Sequence, residues 1–353
     1  MCARTGRGSD MPASQDPAVS VLMAVYNGER FVESAVRSVL TQGWLDLELI
    51  ILDDGSSDGS PAILKRLAAE DPRIRLSSQP NQGVPRTANA MIAQARGRYL
   101  SLLDHDDEML PCCLETEVSH LEQHPECIAV GVGQIHIDGA GQAIPMRRRI
   151  VSKNLPYARR DTSFTSFPPD VPFVGNTASM VRADAMRRAG GYREQFAFGN
   201  DNDLWFRLAQ TGEIHRLTES LVRYRLHGGN ATSARRQTVL LYDIIAHLSA
   251  MARANGRDNQ ALLNAFNGPE NFLETAKGYQ RLIGTGYPVE TYIFYRAVGS
   301  RLPLATGAAD FGELLRQSFA HTRKWPPSVS KLHLLRRTLR RGAAYALSRK
   351  RNA

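Results

Sequence analysis

No run of eighteen or more apolar residues occurs anywhere in the chain, so no segment has the length of a membrane-crossing helix. Cysteine is scarce: Cys2, Cys112, Cys113 and Cys127 show no paired CxxC spacing, which removes a zinc ribbon or a disulfide scaffold. They read instead as small core fillers in a reducing, cytoplasmic setting. Residues 1–17 are small and polar without an apolar stretch, which argues against a secretory signal and for a flexible leader. Acidic residues vanish after Glu313, where eleven Lys or Arg follow without one Asp or Glu. That tail outweighs the formal net charge of +9, so the body of the chain is close to neutral. A basic nucleic-acid groove in the main domain is therefore not expected.

What is present is an ordinary globular composition, with 42% hydrophobic and 22% charged residues. The first half alternates short apolar runs with helical patterns. Val19–Val25, Leu47–Leu52, Ile74–Leu76 and Tyr99–Leu103 read as strands, and residues from Phe31 to Leu40, Ser60–Ala69 and Thr87–Ala95 as helices. Such alternation predicts an α/β fold, a mostly parallel sheet flanked by helices on both faces. Residues 18–235 are expected to hold this domain. Residues 236–353 read as an α-helical extension with a basic tail. Between Gln134 and Pro172 the pattern weakens, which predicts a long loop carrying Arg147, Arg148, Arg149, Lys153, Arg159 and Arg160.

Parallel sheets bind ligands at the carboxyl ends of their strands, and two acidic turns stand there. Asp53-Asp54-Gly55-Ser56 ends the second strand, where carboxylates can accept hydrogen bonds from a base or a ribose. The bland alternative is the cap of the following helix. Asp104-His105-Asp106-Asp107 follows the fourth strand, and alternate carboxylates there suit Mn²⁺ or Mg²⁺ with the oxygens of a diphosphate. Read alone, the same tetrapeptide is a solvated acidic turn.

Six motifs in order give these turns a family context. They are Met23-Ala-Val-Tyr-Asn27, Leu49–Asp58, Asn81–Asn89 with Ala95–Tyr99, Leu103–Asp107, Gly175–Asn176 through Gly190–Arg193 to Asn200–Leu204, and Tyr224–Ser233. Together they resemble glycosyltransferase family 2, the inverting enzymes with a GT-A fold, over about Val19 to Ser233. The resemblance implies that Ala24, Tyr26, Asn27, Asp53, Asp54, Asn81 and Asp104 surround the nucleotide. It places Asp106 and His227 at the metal and Asp201 as general base, with Asp203 capping the helix beyond it. Three departures stand out: Ala24 replaces a usual Pro, Asn200 a usual acid, and Ala88 a frequent Arg, whose charge Arg86 is in position to supply.

The implied reaction is a single inverting displacement, carrying a sugar from a nucleotide-diphosphate donor to a hydroxyl of a saccharide or lipid-linked acceptor, in surface polysaccharide or glycolipid synthesis. Tyr26-Asn-Gly-Glu29 is no Gly-rich phosphate loop, which disfavours a nucleotidyltransferase; membrane spans and a QxxRW motif, needed by a processive synthase, are lacking. A non-catalytic protein binding nucleotide sugars or an anionic polymer is the alternative. Along 331–350, Leu332, Leu335, Leu339, Ala343, Ala346 and Leu347 share one helical face flanked by Arg336, Arg337, Arg340 and Arg341. Such a helix either lies on an anionic membrane, making the protein peripheral on the inner face, or docks on its own domain.

Overall fold

Of the seven residues in Val19–Val25 (β1), six are buried, and the strand is the central rib of a mixed sheet. The computed structural model describes residues 16–145, 155–157, 175–177, 179–229 and 236–283. After β1 come Val32–Leu40 (α1), Leu47–Asp53 (β2), Ser60–Glu70 (α2), Ile74–Ser78 (β3), Val84–Gln94 (α3) and Tyr99–Leu102 (β4). They are followed by Glu108–Met109 (β5), Cys113–Gln123 (α4), Cys127–Ile137 (β6), Leu155–Tyr157 (β7) and Ser179–Arg182 (β8). Ala183–Arg188 (α5), Asn200–Ala209 (α6) and Glu213–Arg225 (β9) complete the first of two compact units. In the second unit, Arg236–Ala254 (α7), Gln260–Ala265 (α8) and Phe272–Ile283 (α9) form a helical cluster around Ile244, Leu248, Leu263 and Tyr279.

The sheet runs β3-β2-β1-β4-β8-β6-β9-β5, with β7 paired to β9. Strands β1 to β4 are parallel to one another. β1, β2 and β4 bury both faces because their residues alternate between two cores, while β3 forms the edge. Val19, Val21, Met23, Leu49 and Ile51 meet α1, α2 and α4 on one side. Leu22, Ile50, Leu52 and Leu100 meet α3, α5 and α6 on the other. This two-sided burial is why the strands read as unbroken apolar runs.

One reversed strand brings distant segments to the site. β8 lies antiparallel between β4 and β6, pairing Leu102 with Ser179. Residues 176 and 177, just before β8, therefore sit at the carboxyl end of β4. β9 is parallel to β6, with Tyr224 opposite His136, so its far end also reaches that edge. β6 and β9 were not anticipated: β6 reaches Ile137, inside the stretch expected to be a loop, which also holds the strand β7. The arginines and Lys153 assigned to a loop, and the segment 331–350, lie outside the described residues. Among the described residues no helix is long and apolar enough to cross a membrane. Cys113 and Cys127 are buried free thiols as expected, whereas Cys112 is disulfide-bonded.

Candidate active site

The pairing of Val25 with Asp53, and of Leu22 with Leu102, delivers three chain segments to one edge. Tyr26 leaves β1 about half exposed, at 49%. Asn27 takes a left-handed turn (φ 51) in which its amide donates to Ser56 Oγ at 2.9 Å. Its side-chain oxygen accepts from the Ser57 amide at 2.8 Å, so Asn27 stitches the first turn to the second. Asp53 Oδ1 accepts from the Ser56 amide at 3.1 Å.

Asp54 is used differently. Both of its oxygens are taken by the loop entering α3: Gln79 Nε2 at 2.8 Å and the amides of Gln82 and Gly83 at 2.9 Å each. Burial pushes this carboxyl up, but the bonds from Gln79, Gln82, Thr87 and Gly83 outweigh it and hold it below its ordinary range. It thus shapes the pocket wall that carries the exposed Asn81. The turn needs Gly55 at φ 78, since a Cβ there would lie 2.8 Å from the Asn81 amide nitrogen.

The second acidic turn is held from four directions. His105 Nδ1–H donates to the carbonyl of Ala24 at 3.2 Å, which ties the turn to the end of β1. A Cβ on Gly28 would fall 2.3 Å from this imidazole, so Gly28 makes its space. The Asp104 amide approaches Thr177 Oγ1 at 3.4 Å. Arg225 donates its amide to Asp107 Oδ1 at 2.7 Å and its Nε to the Asp106 carbonyl at 2.9 Å. The same guanidinium reaches Glu108 Oε1 at 2.6 Å and lies 4.7 Å above the Phe31 ring.

His227 Nε2 stands 2.9 Å from Asp106 Oδ2, with its ring 4.9 Å from Phe31. The Gly229 amide donates to Nδ1 at 3.2 Å, so Nε2 is the protonated nitrogen and faces the carboxylate. In this tautomer His227 is a donor beside Asp106. To ligate a cation through Nε2 it would have to shed that proton, a refinement of the role that sequence suggested.

Carboxyl oxygens of Asp104, Asp106 and Asp107 all lie within 4.8 Å of one another. Burial, then the charges of Asp106 and Asp201, push Asp104 up to about 7. Burial with Asp104 and Asp106 pushes Asp107 up to about 9 despite the Arg225 bond. Asp107 is 1% exposed, and its Oδ2 has no hydrogen-bond partner. Crowded carboxyls, with buried Asp107 behind them and an oxygen to spare, suit a hard divalent cation, whose charge would reverse these shifts. The donor set therefore fits Mn²⁺ or Mg²⁺.

Asp201 lies in the first turn of α6, which begins at Asn200 behind a left-handed Gly199. Burial holds its carboxyl above the ordinary range. Asn176 joins Tyr192 to the acidic turn: its oxygen accepts from Tyr192 O–H at 2.6 Å, and its amide bonds Asp104. Asn89 grips Tyr192 through both backbone groups at 2.8 Å. Asp203 does not cap the helix as predicted. It is fully buried and paired with Arg207 at 2.8 Å, so it anchors α6. Arg86 pairs with Glu194 at 2.8 Å. Sequence reasoning missed Arg225, Asn176 and Tyr192 as parts of the site, although all three stand inside recognised motifs.

Comparisons with known proteins agree with this geometry. The family model described as Glycosyl transferase family 2 matches residues 20–190. EpsE of Bacillus subtilis (strain 168) is 33% identical over 214 residues, 59% of this chain and 73% of that protein. A hyaluronan synthase of Pasteurella multocida is 26% identical over 223 residues, which span 63% of this chain but 22% of that enzyme. Two solved structures share the fold at low identity. S. aureus TarS 1–349 in complex with UDP-GlcNAc has a TM-score of 0.56 at 12% identity, covering 86% of this chain and 88% of that one. The mannosyltransferase PcManGT from Pyrobaculum calidifontis, in complex with GDP-Man and Mn²⁺, has a TM-score of 0.51 at 15% identity, covering 93% and 86%. The sheet is a GT-A sheet, and the chain belongs to glycosyltransferase family 2.

Proposed function

We propose that the chain is a metal-dependent inverting transferase that moves a sugar from a nucleotide-diphosphate donor to an acceptor hydroxyl during surface polysaccharide or glycolipid synthesis. The observation that carries this reading is the Asp106–His227 contact, set among Asp104 and Asp107 and in the electrostatic field of Asp201. Tyr26, Asn27 and Asp53 line the base and ribose end, while Ala24, Asp54 and Asn81 shape its wall. Asp104 and Asp106, with Asp107 behind them, would hold a divalent cation. When bound, that cation would offset charge growing on the departing diphosphate. His227 Nε2–H is positioned to donate to the same oxygens.

Asp201 accepts the acceptor proton through its carboxylate as the new bond forms. Burial raises its basicity, which compensates for the missing neighbouring acid at Asn200. The named substrates of the relatives support a nucleotide sugar as donor, with hexose or N-acetylhexosamine chemistry. The basic segment 331–350 would keep the enzyme on an anionic membrane near a lipid-linked acceptor. Calorimetry of nucleoside diphosphate binding with and without Mn²⁺ tests the assignment. Asp106→Ala is expected to remove the Mn²⁺-dependent part and abolish transfer. Unchanged Mn²⁺-dependent binding in that variant refutes it.

A further inference from the structure

At the opposite end of β6 and β9 from His227 lies a second concentration of ligand-type side chains. His120 on α4, Cys127 at the start of β6 and His215 near the start of β9 offer donor atoms all within 4.8 Å of one another. His120 Nε2 and His215 Nδ1 are 2.8 Å apart. Cys127 is fully buried and His215 nearly so, at 7% exposed. About ten residues of extended β9 separate His215 from Arg225, roughly 30 Å of strand. The cluster is therefore distinct from the acidic turn.

The geometry points to a Zn²⁺ site built from His120 Nε2, Cys127 Sγ and His215 Nδ1, with the fourth position left to water or a nearby carboxylate. Two features support it. His215 Nε2–H donates to Glu213 Oε2 at 3.0 Å, which leaves the Nδ1 lone pair aimed into the cluster. A carboxylate behind the far nitrogen of an imidazole is the usual outer support of a metal-bound histidine. The His215 backbone N–H also bonds the Cys127 sulfur, and the thiol donates to the Ala129 carbonyl at 3.0 Å, contacts that hold the sulfur within the cluster.

Sulfur and nitrogen donors exclude Mg²⁺ and suit a borderline cation held tetrahedrally. Binding would release one proton from the Cys127 thiol and move the His120 ring proton from Nε2 to Nδ1. Glu213 and Glu126, which already bonds His124 at 3.1 Å, balance the charge that remains. The ion would clip α4 to the amino ends of β6 and β9, making the site structural.

Co²⁺ substitution tests this on the full chain, purified without a polyhistidine tag and kept under argon. A thiolate-to-cobalt charge-transfer band is expected to saturate near one equivalent and to disappear when Zn²⁺ is added. Cys127→Ser should abolish the band while Mn²⁺-dependent diphosphate binding is retained. Glu213→Gln should keep the band but weaken Zn²⁺ binding roughly 10–100-fold, as loss of an outer support does. Should Cys127→Ser fail to fold, His120→Ala, at a partly exposed helical position, replaces it. A wild-type chain without the band overturns the proposal, as does a band undiminished in Cys127→Ser or His120→Ala.

Discussion

Replacing Arg225 by Met isolates what the guanidinium contributes at nearly constant length. The side chain is 4% exposed and donates to the Asp106 carbonyl, the Asp138 carbonyl and Glu108. Removing one partner of a buried ion pair costs about 3–5 kcal/mol. Glu108 keeps Arg223 at 3.2 Å, so the lower end, about 3 kcal/mol, applies. For a unit of some 200 residues this corresponds to a fall in Tm of roughly 10 °C. The amide of residue 225 still holds Asp107, so the turn persists while its Asp106 carbonyl loses its anchor. Affinity for nucleoside diphosphate in the presence of Mn²⁺ should drop roughly 10–100-fold, in line with other supports behind metal ligands. Calorimetry well below Tm, with far-ultraviolet circular dichroism as a check on folding, reads both effects. A folded Arg225→Met protein with wild-type Mn²⁺-dependent affinity refutes the idea that Arg225 positions the acidic turn.

Asp201→Asn should leave donor binding intact and lower turnover by about 10²–10⁴-fold. Because burial raises the Asp201 pKa, and the base must be ionised, wild-type turnover should rise with pH through a value above the ordinary carboxylate range; a flat acid limb refutes the assignment. Glu117 is buried in α4 and held up to about 8, so the folded state keeps a proton that the unfolded chain loses. Its contribution is complete below the unfolded pKa and is lost as pH rises toward about 8. Glu117→Gln should therefore raise stability by up to about 4 kcal/mol in alkaline buffer and by little near pH 5; identical pH dependence of melting in both proteins refutes this. Deleting the residues after Trp325 should end co-sedimentation with anionic vesicles, and equal pelleting of both forms rules out a membrane role for 331–350.

The parallel half of the fold was legible because its strands are buried on both faces. Val19–Val25 and Leu47–Asp53 announce themselves as apolar runs, and their acidic ends mark the ligand edge. β9 was not, because its thirteen residues mix buried Ile214, Leu217 and Val222 with exposed Thr218, Glu219 and Ser220. Roles inside a motif were equally hard to separate. Asp53 and Asp54 are adjacent and chemically alike, yet only the fold shows that the oxygens of Asp54 are taken by Gln79, Gln82 and Gly83. Asp203 misled for a related reason: its residue type favours a cap, but a partner four residues on, Arg207, draws it into the core.

The reversed strand β8 bears on how such an enzyme can change through descent. Asn176 owes its place beside Asp104 to the pairing of Ser179 with Leu102, and Met180 and Val181 are also held by β6. Held by strands on both sides, β8 fixes the position of Asn176 through main-chain pairing, which does not depend on which side chains surround it. Side chains around the site can then be exchanged while the acidic turn keeps its Asn176 partner.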